Sequence, residues 1–265
     1  MPAFCANLTM MFNELPFMDR FRAAKRAGFM GVEYLFPYDF EAGELAGHLL
    51  DNNLTQVLHN LPAGDWAAGE RGIAILTGRE QEFREGVDKA IRYATTLGCT
   101  QVNCLAGLIP PGENKLRLEG TFVANLAYAA DKLKDEGIRL LIEPINTRDM
   151  PGFFLNGTAQ ALDIIAKVGS DNLFVQYDIY HMQRMEGEIA ATIAAHLPQI
   201  GHIQIADNPG RNEPGTGEIA YPFLFNHLDR IGYRGWVGCE YKPKTTTDAG
   251  LGWFTSARAA TAATT

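Results

Sequence analysis

Short apolar and β-branched runs alternate along this chain with longer stretches whose apolar positions recur every three or four residues. Eight of the short runs predict strands: Phe4–Asn7, Gly31–Leu35, Thr55–Asn60, Gln101–Ala106, Arg139–Glu143, Leu173–Asp178, His202–Asp207 and Trp236–Tyr241. The intervening stretches predict helices. Phe122, Leu126, Ala129 and Leu133 form one apolar stripe along Leu116–Glu136, and Tyr221, Leu224, Phe225, Leu228 and Ile231 form another. Gly28, Gly98, Gly137, Gly169 and Gly232 each stand between a helical stretch and a strand, where a left-handed residue closes the helix.

Repeated helix, glycine and strand is the pattern of parallel β/α units, whose crossovers cover the sheet on its outer side. The expected fold class is therefore α/β, a single (β/α)8 TIM barrel over residues 1–256 with an Ala/Thr-rich tail at 257–265. The length of 265 residues suits one such barrel. The longest connection, Leu61–Gly78, contains Pro62, Gly64, Trp66, Gly69 and Gly72, and reads as an ordered loop able to cover a pocket.

Composition narrows the partners. A net charge of -8 disfavours DNA or RNA, which select basic surfaces, but leaves room for a small anion in a local pocket. Cys5, Cys99, Cys104 and Cys239 are widely spaced within apolar sequence and read as buried free thiols rather than a zinc site. There is no basic-then-apolar leader and no 18-residue apolar run, so a cytoplasmic protein without a membrane span is expected. The outer helix faces leave self-association into a homo-oligomer open. No GxSxG, HExxH, GxxxxGK[ST] or GxGxxG pattern is present; GTGE at 215–218 is expected only to turn the chain into the next helix, and no nucleotide cofactor is expected.

In a barrel of this kind the carboxyl ends of the strands open onto the active site. Glu143, Asp178 and Glu240 follow hydrophobic strand sequence directly, and Gln204 lies within the seventh strand. One such acid alone serves equally well as a helix cap or salt-bridge partner. Four acceptors on consecutive strands point instead to a shared site, in which a divalent cation would relieve their burial. Mg²⁺ or Mn²⁺ suits three carboxylates and one amide oxygen better than Zn²⁺ does. His59 and His181 are candidates to bind a substrate oxygen, with a structural role equally open to His181. Arg71, Arg211 and Lys242 are candidates to hold a substrate carboxylate, with Glu186 and Glu213 as supporting partners. His202 shares a strand face with Gln204 and is expected deeper in the barrel.

The runs FCANLTMMF, VEYLFPYD, HNLPAGDWAAGERG, LLIEPIN, QYDIYHMQRMEGE, HIQIADNPGRNEPGTGEI and GWVGCEYKPKTTT resemble the hydroxypyruvate isomerase family, and the likeness extends from Ala3 to about Phe254. That family is one of the xylose-isomerase-like barrels, beside 2-oxo-tetronate isomerases, ketose 3-epimerases and the endonuclease IV group. The resemblance implies two catalytic glutamates at Glu143 and Glu240 and metal positions at Glu143, Asp178, Gln204 and Glu240. Related epimerases carry histidine where this chain has Gln204, which leaves fewer strong ligands here. The implied activity interconverts hydroxypyruvate and 2-hydroxy-3-oxopropanoate through an enediolate. The alternatives are a 2-oxo-tetronate isomerase, a ketose 3-epimerase, a metal-dependent nuclease or a non-catalytic binding protein for sugar acids.

Overall fold

A computed structural model describes residues 2–262. Eight parallel strands close into a barrel in chain order: β1 (Ala3–Asn7), β2 (Gly31–Glu33), β3 (Thr55–Asn60), β4 (Gln101–Cys104), β5 (Arg139–Ile142), β6 (Leu173–Asp178), β7 (Ile200–Ile205) and β8 (Trp236–Cys239). Closure is the pairing of β1 with β8, from Ala3 opposite Trp236 to Ala6 opposite Cys239. All eight predicted strands are present, so the chain is the expected (β/α)8 barrel.

Five of the eight strands end earlier than the apolar runs suggest, while β1, β3 and β6 end where expected. β5 stops at Ile142, one residue before Glu143, and Pro144 follows, which has no N–H to continue a ladder. β8 likewise stops at Cys239 and leaves Glu240 just beyond the ladder. Glu143 and Glu240 therefore stand at the rim just past the paired residues, while Asp178 is the last residue of β6.

Helices α1 (Phe17–Ala27), α2 (Ala42–Asp51), α3 (Glu80–Leu97), α4 (Lys115–Asp135), α5 (Thr158–Val168), α6 (Ile179–Met185), α7 (Ile189–His196) and α8 (Tyr221–Arg230) form the outer layer. α4 begins where the Asn114 side chain accepts from the N–H groups of Leu116 and Arg117, capping the first turn. Its stripe of Phe122, Leu126, Ala129 and Leu133 is completely buried, at about 1.5–3 kcal/mol for each large side chain. The five glycines expected to end helices all have positive φ, from 63° at Gly98 to 96° at Gly28. After β8 come α9 (Thr247–Gly250) and α10 (Gly252–Ala262). α10 runs across the start of the Ala/Thr-rich stretch, and its Trp253 and Phe254 pack edge-on to Phe4 of β1. Positions 263–265 lie outside the described residues. Among the described residues no helix is long and apolar enough to cross a membrane.

Inside the barrel the layers change character from bottom to top. The floor is apolar: Cys5, Val57, Leu58 and Leu141, with Phe174 and Trp236 against them. Above it lies a polar layer centred on Glu33, which is almost fully buried. His202 Nε2 is 2.8 Å from Glu33 Oε2, and Gln204 Nε2 and Asn7 Nδ2 donate to Oε1 at 2.8 and 3.1 Å. Gly238 of β8 makes room for this carboxylate, because a Cβ there would lie 2.4 Å from Glu33 Oε1. His202 is thus deep in the interior, as its strand position predicts.

Candidate active site

Glu143, Asp178, His181 and Glu240 meet at the carboxyl end of the barrel, each almost fully buried. One ligand atom from each can be chosen so that all lie within 4.8 Å of one another. The sequence separates these residues by up to about a hundred positions; the barrel brings them together because β5, β6 and β8 end at a common rim. Asn103 of β4 donates to Glu143 Oε2 at 3.1 Å and to Asn60 Oδ1 at 3.2 Å. Arg211 Nη2 donates to Glu240 Oε2 at 2.7 Å, and Asn7 Nδ2 lies 3.4 Å from its Oε1. Asp178 divides its two oxygens between two tasks. Oδ1 accepts from the N–H groups of Tyr180 (2.7 Å) and His181 (3.2 Å), which caps α6. Oδ2 is buried with no hydrogen-bond partner and faces the cluster.

Arg211 supplies the only guanidinium found against these acids among the described residues. Its backbone holds a left-handed φ of 55°, and its carbonyl accepts from the Lys242 N–H at 2.8 Å. The loop that presents it is organised by Asp207, whose Oδ2 accepts from Gly215 (2.8 Å) and Gly217 (2.9 Å), and whose Oδ1 accepts from Ile219 (3.1 Å). GTGE thus turns the chain into α8, as expected, by wrapping its N–H groups around one carboxylate.

The electrostatics follow from burying three acids beside one cation. Desolvation pushes Glu240 up to about 8, with Asp178 and Glu33 adding to the rise and Arg211 opposing it. Burial, then Glu240 and Asp178, raise Glu143 well above the ordinary carboxylate range. Asp178 is raised by burial against the pull of Arg211 and two backbone N–H groups. His181 goes the other way: burial, then Arg211 and Arg184, hold it well below its usual value, so the ring is neutral.

Several expected participants have other partners. Gln204 is engaged in the layer below the rim: its Nε2 donates to Glu33, and its Oε1 accepts from Gln176 Nε2 at 2.6 Å. His181, three residues beyond Asp178, is the side chain that stands beside the three carboxylates. His59 faces away from the barrel interior, against the Tyr38 ring and the Ala90 backbone of α3, where burial lowers it to about 4. The reason is an extra residue in β3: Val32 pairs with Gln56 but Glu33 pairs with Leu58, so Asn60, not His59, shares the inward face. Arg71 stacks on Trp66 at 4.1 Å within the β3–α3 loop, and Trp66 lies against Phe36. Lys242 is exposed and touches the Arg211 loop through its main chain. Glu186 accepts from Thr158 N–H and Oγ1 at the start of α5, and Glu213 accepts from the Lys244 N–H.

The pattern of the family described as xylose isomerase-like TIM barrel matches residues 21–257. The chain belongs to that family. Over 251 residues it is 58% identical to the hydroxypyruvate isomerase of Escherichia coli K12, covering 95% of this chain and 97% of that one. It is 51% identical to the 2-oxo-tetronate isomerase of Cupriavidus necator, covering 96% and 98%. A crystal structure from Brucella melitensis, described as an AP endonuclease of family 2, superposes with a TM-score of 0.95 at 51% identity over 97% and 99% of the two chains. This is a catalytic barrel of the isomerase family.

Two buried groups in this xylose isomerase-like barrel bring potential metal ligands together: Cys5, Glu33 and His202, and Glu143, Asp178, His181 and Glu240. The first does not need an ion, because both oxygens of Glu33 already accept from nitrogen donors. In the second, acceptor oxygens face one another and Asp178 Oδ2 is orphaned, the condition a divalent cation relieves. The rim carboxylates fit such an ion. Asn60, a polar residue at the end of the third predicted strand, also shapes the site, as do Glu33 and Asn103, which were not expected from the sequence. Glu33 had a signal: a charge inside the strand run GVEYL.

Proposed function

We propose that the chain isomerises hydroxypyruvate to 2-hydroxy-3-oxopropanoate, with Glu143 and Glu240 exchanging protons with adjacent substrate carbons. The observation that carries this reading is the approach of the two carboxyl groups within 4.8 Å, both with raised proton affinity, at a rim that also presents Arg211 and His181. Two buried carboxyl groups with raised proton affinity can serve as the base and the acid that such an isomerisation needs.

One glutamate takes a hydrogen as a proton from the CH₂OH carbon, and the electron pair forms the double bond of an enediolate. The second returns a proton to the neighbouring carbon, while the hydroxyl hydrogen passes to the adjacent oxygen. The product has the same atoms and charge, so no redox or nucleotide cofactor takes part. Arg211 holds an oxyanion of the substrate, and His181 binds a substrate oxygen. A divalent cation, Mg²⁺ or Mn²⁺, held by Glu143, Asp178 and Glu240 would supply Lewis acidity toward the carbonyl and hydroxyl oxygens. The four described cysteines are free and buried, which suits a reducing compartment such as the cytoplasm.

The 51% identity to a 2-oxo-tetronate isomerase favours a second substrate by the same chemistry, a four-carbon acid. The Brucella relative's description suggests nuclease activity, but a net charge of -8 opposes polyanion binding. The deciding experiment strips the protein with chelator, restores Mg²⁺, Mn²⁺ or Co²⁺ separately, and measures turnover of hydroxypyruvate, 2-oxo-tetronate and an abasic duplex. Turnover of neither acid under any condition overturns the reading.

A further inference from the structure

Asn146 follows Glu143 in the run IEPIN and is completely buried. Its neighbours fix which way its amide points. Oδ1 accepts from the backbone N–H groups of Arg148 at 3.1 Å and Asp149 at 2.9 Å, so the nitrogen occupies the other side. That nitrogen donates to Asp149 Oδ2 at 3.1 Å and lies 2.6 Å from Nδ1 of His181. Asp149 is itself braced by the Tyr180 hydroxyl at 2.6 Å and by Arg184 Nη1 at 2.8 Å, so the amide has no freedom to turn over.

An amide NH₂ group donates and cannot accept. The His181 Nδ1 facing it must therefore be the acceptor, and the single proton of the neutral ring resides on Nε2. We propose that Asn146 is a positioning residue that locks His181 in its Nε2–H tautomer, making it a hydrogen-bond donor to substrate oxygen and not a ligand of a divalent cation. A histidine that binds a metal through Nε2 presents a lone pair there, while Nδ1–H is given to a carboxylate, carbonyl or water. Asn146 presents the opposite partner.

The surroundings of Nε2 agree with a donor. Glu143 Oε1 lies 3.8 Å away and Asp178 Oδ2 3.7 Å away. Arg211 Nη2, a donor, is 3.5 Å away and competes for a lone pair on Nε2, but its contact is far longer than the 2.6 Å one between Asn146 and Nδ1, and the shorter contact decides the tautomer. An oxygen placed against both would accept from each. That is the arrangement that stabilises negative charge as it forms on the oxygen of an enediolate, and a neutral imidazole supplies it without giving up its proton. The donor role rests on the isomerase reading, whereas the tautomer does not.

The test separates the two. Long-range ¹H–¹⁵N correlations of the histidine-labelled full chain report the protonated nitrogen of each ring, and His181→Gln identifies the His181 signals among six histidines. The expected result is Nε2–H with bare Nδ1, unchanged when Mg²⁺ is added. Nδ1–H in the free protein, or loss of the Nε2 proton on adding Mg²⁺, overturns the proposal. Asn146→Asp offers an acceptor to Nδ1 and is expected to move the proton there, with kcat down by about a hundredfold and KM little changed. A shifted tautomer with unchanged kcat removes the donor role and leaves the lock. If the second carboxylate beside Asp149 prevents folding, the wild-type spectrum still decides. A chain that turns over no hydroxy-carbonyl acid sinks the isomerase reading without touching the tautomer.

Discussion

Asn7 bridges Glu240 and Glu33: one amide nitrogen lies 3.4 Å from Glu240 Oε1 at the rim and 3.1 Å from Glu33 Oε1 in the layer below. The buried Glu33–His202 pair thereby helps to set the position of Glu240. Gly238 allows this, since a methyl group there would collide with Glu33. Gly238→Ala is therefore expected to lower stability by about 1–3 kcal/mol, the usual cost of overpacking, and to reduce kcat as well. Urea unfolding and steady-state kinetics check both; native stability in the Gly238→Ala variant would show that Glu33 has room to move.

Glu143→Gln and Glu240→Gln are each expected to reduce kcat by at least about a hundredfold, the low end of proton-transfer catalysis. Stability should move the other way. Each glutamate is buried beside other acids, and a neutral isostere removes that repulsion. Thermal melts in chelator should show midpoints equal to or above the parent. Near-normal turnover in either variant would take that residue out of the reaction.

The raised acids also set a pH dependence of stability. Between the ordinary carboxylate value of 4.5 and about 8, folded Glu240 keeps a proton that the unfolded chain has lost. Stability of the chelator-treated protein should therefore fall as pH rises through that window. Glu33 has the opposite sign: its value is lowered by His202 and its amide donors, so its contribution is present above the unfolded value and lost in stronger acid. Melting points across pH should decline from about 5 to 8, and Glu240→Gln should flatten the decline. An unchanged slope in that variant would contradict the buried-proton account.

The barrel, and the convergence of Glu143, Asp178 and Glu240, are legible in the sequence because strand-end position is periodic and local. What is not legible depends on pairing between distant segments. His59 reads as inward because nothing in VLHN marks the extra residue that β3 carries opposite β2; only the register, Glu33 with Leu58, turns the ring outward. Gln204 reads as a rim residue because its commitment to Glu33 and Gln176 involves partners 171 and 28 positions away. Asp178 illustrates the reverse, since one oxygen caps α6, as the bland reading has it, while the other is left without a partner toward the cluster.

Arg211 offers a test in which binding and proton affinity change together. Its guanidinium donates to Glu240 and lies 3.9 Å from Asp178, so its charge lowers the proton affinity of both. Arg211→Met removes the group proposed to hold the substrate oxyanion and also leaves the acids less opposed. KM is expected to rise at least about tenfold, in line with a charge-assisted hydrogen bond of about 1.5–3 kcal/mol. The acidic limb of the kcat/KM profile should move to higher pH than in the parent, because a carboxylate without its cation holds its proton more tightly. Arg211→Lys should restore the limb more fully than KM, since a lysine supplies the charge without the planar fork. A pH profile unmoved in Arg211→Met, together with an unchanged KM, would mean that the guanidinium seen against Glu240 contributes neither to binding nor to the electrostatics of the pair.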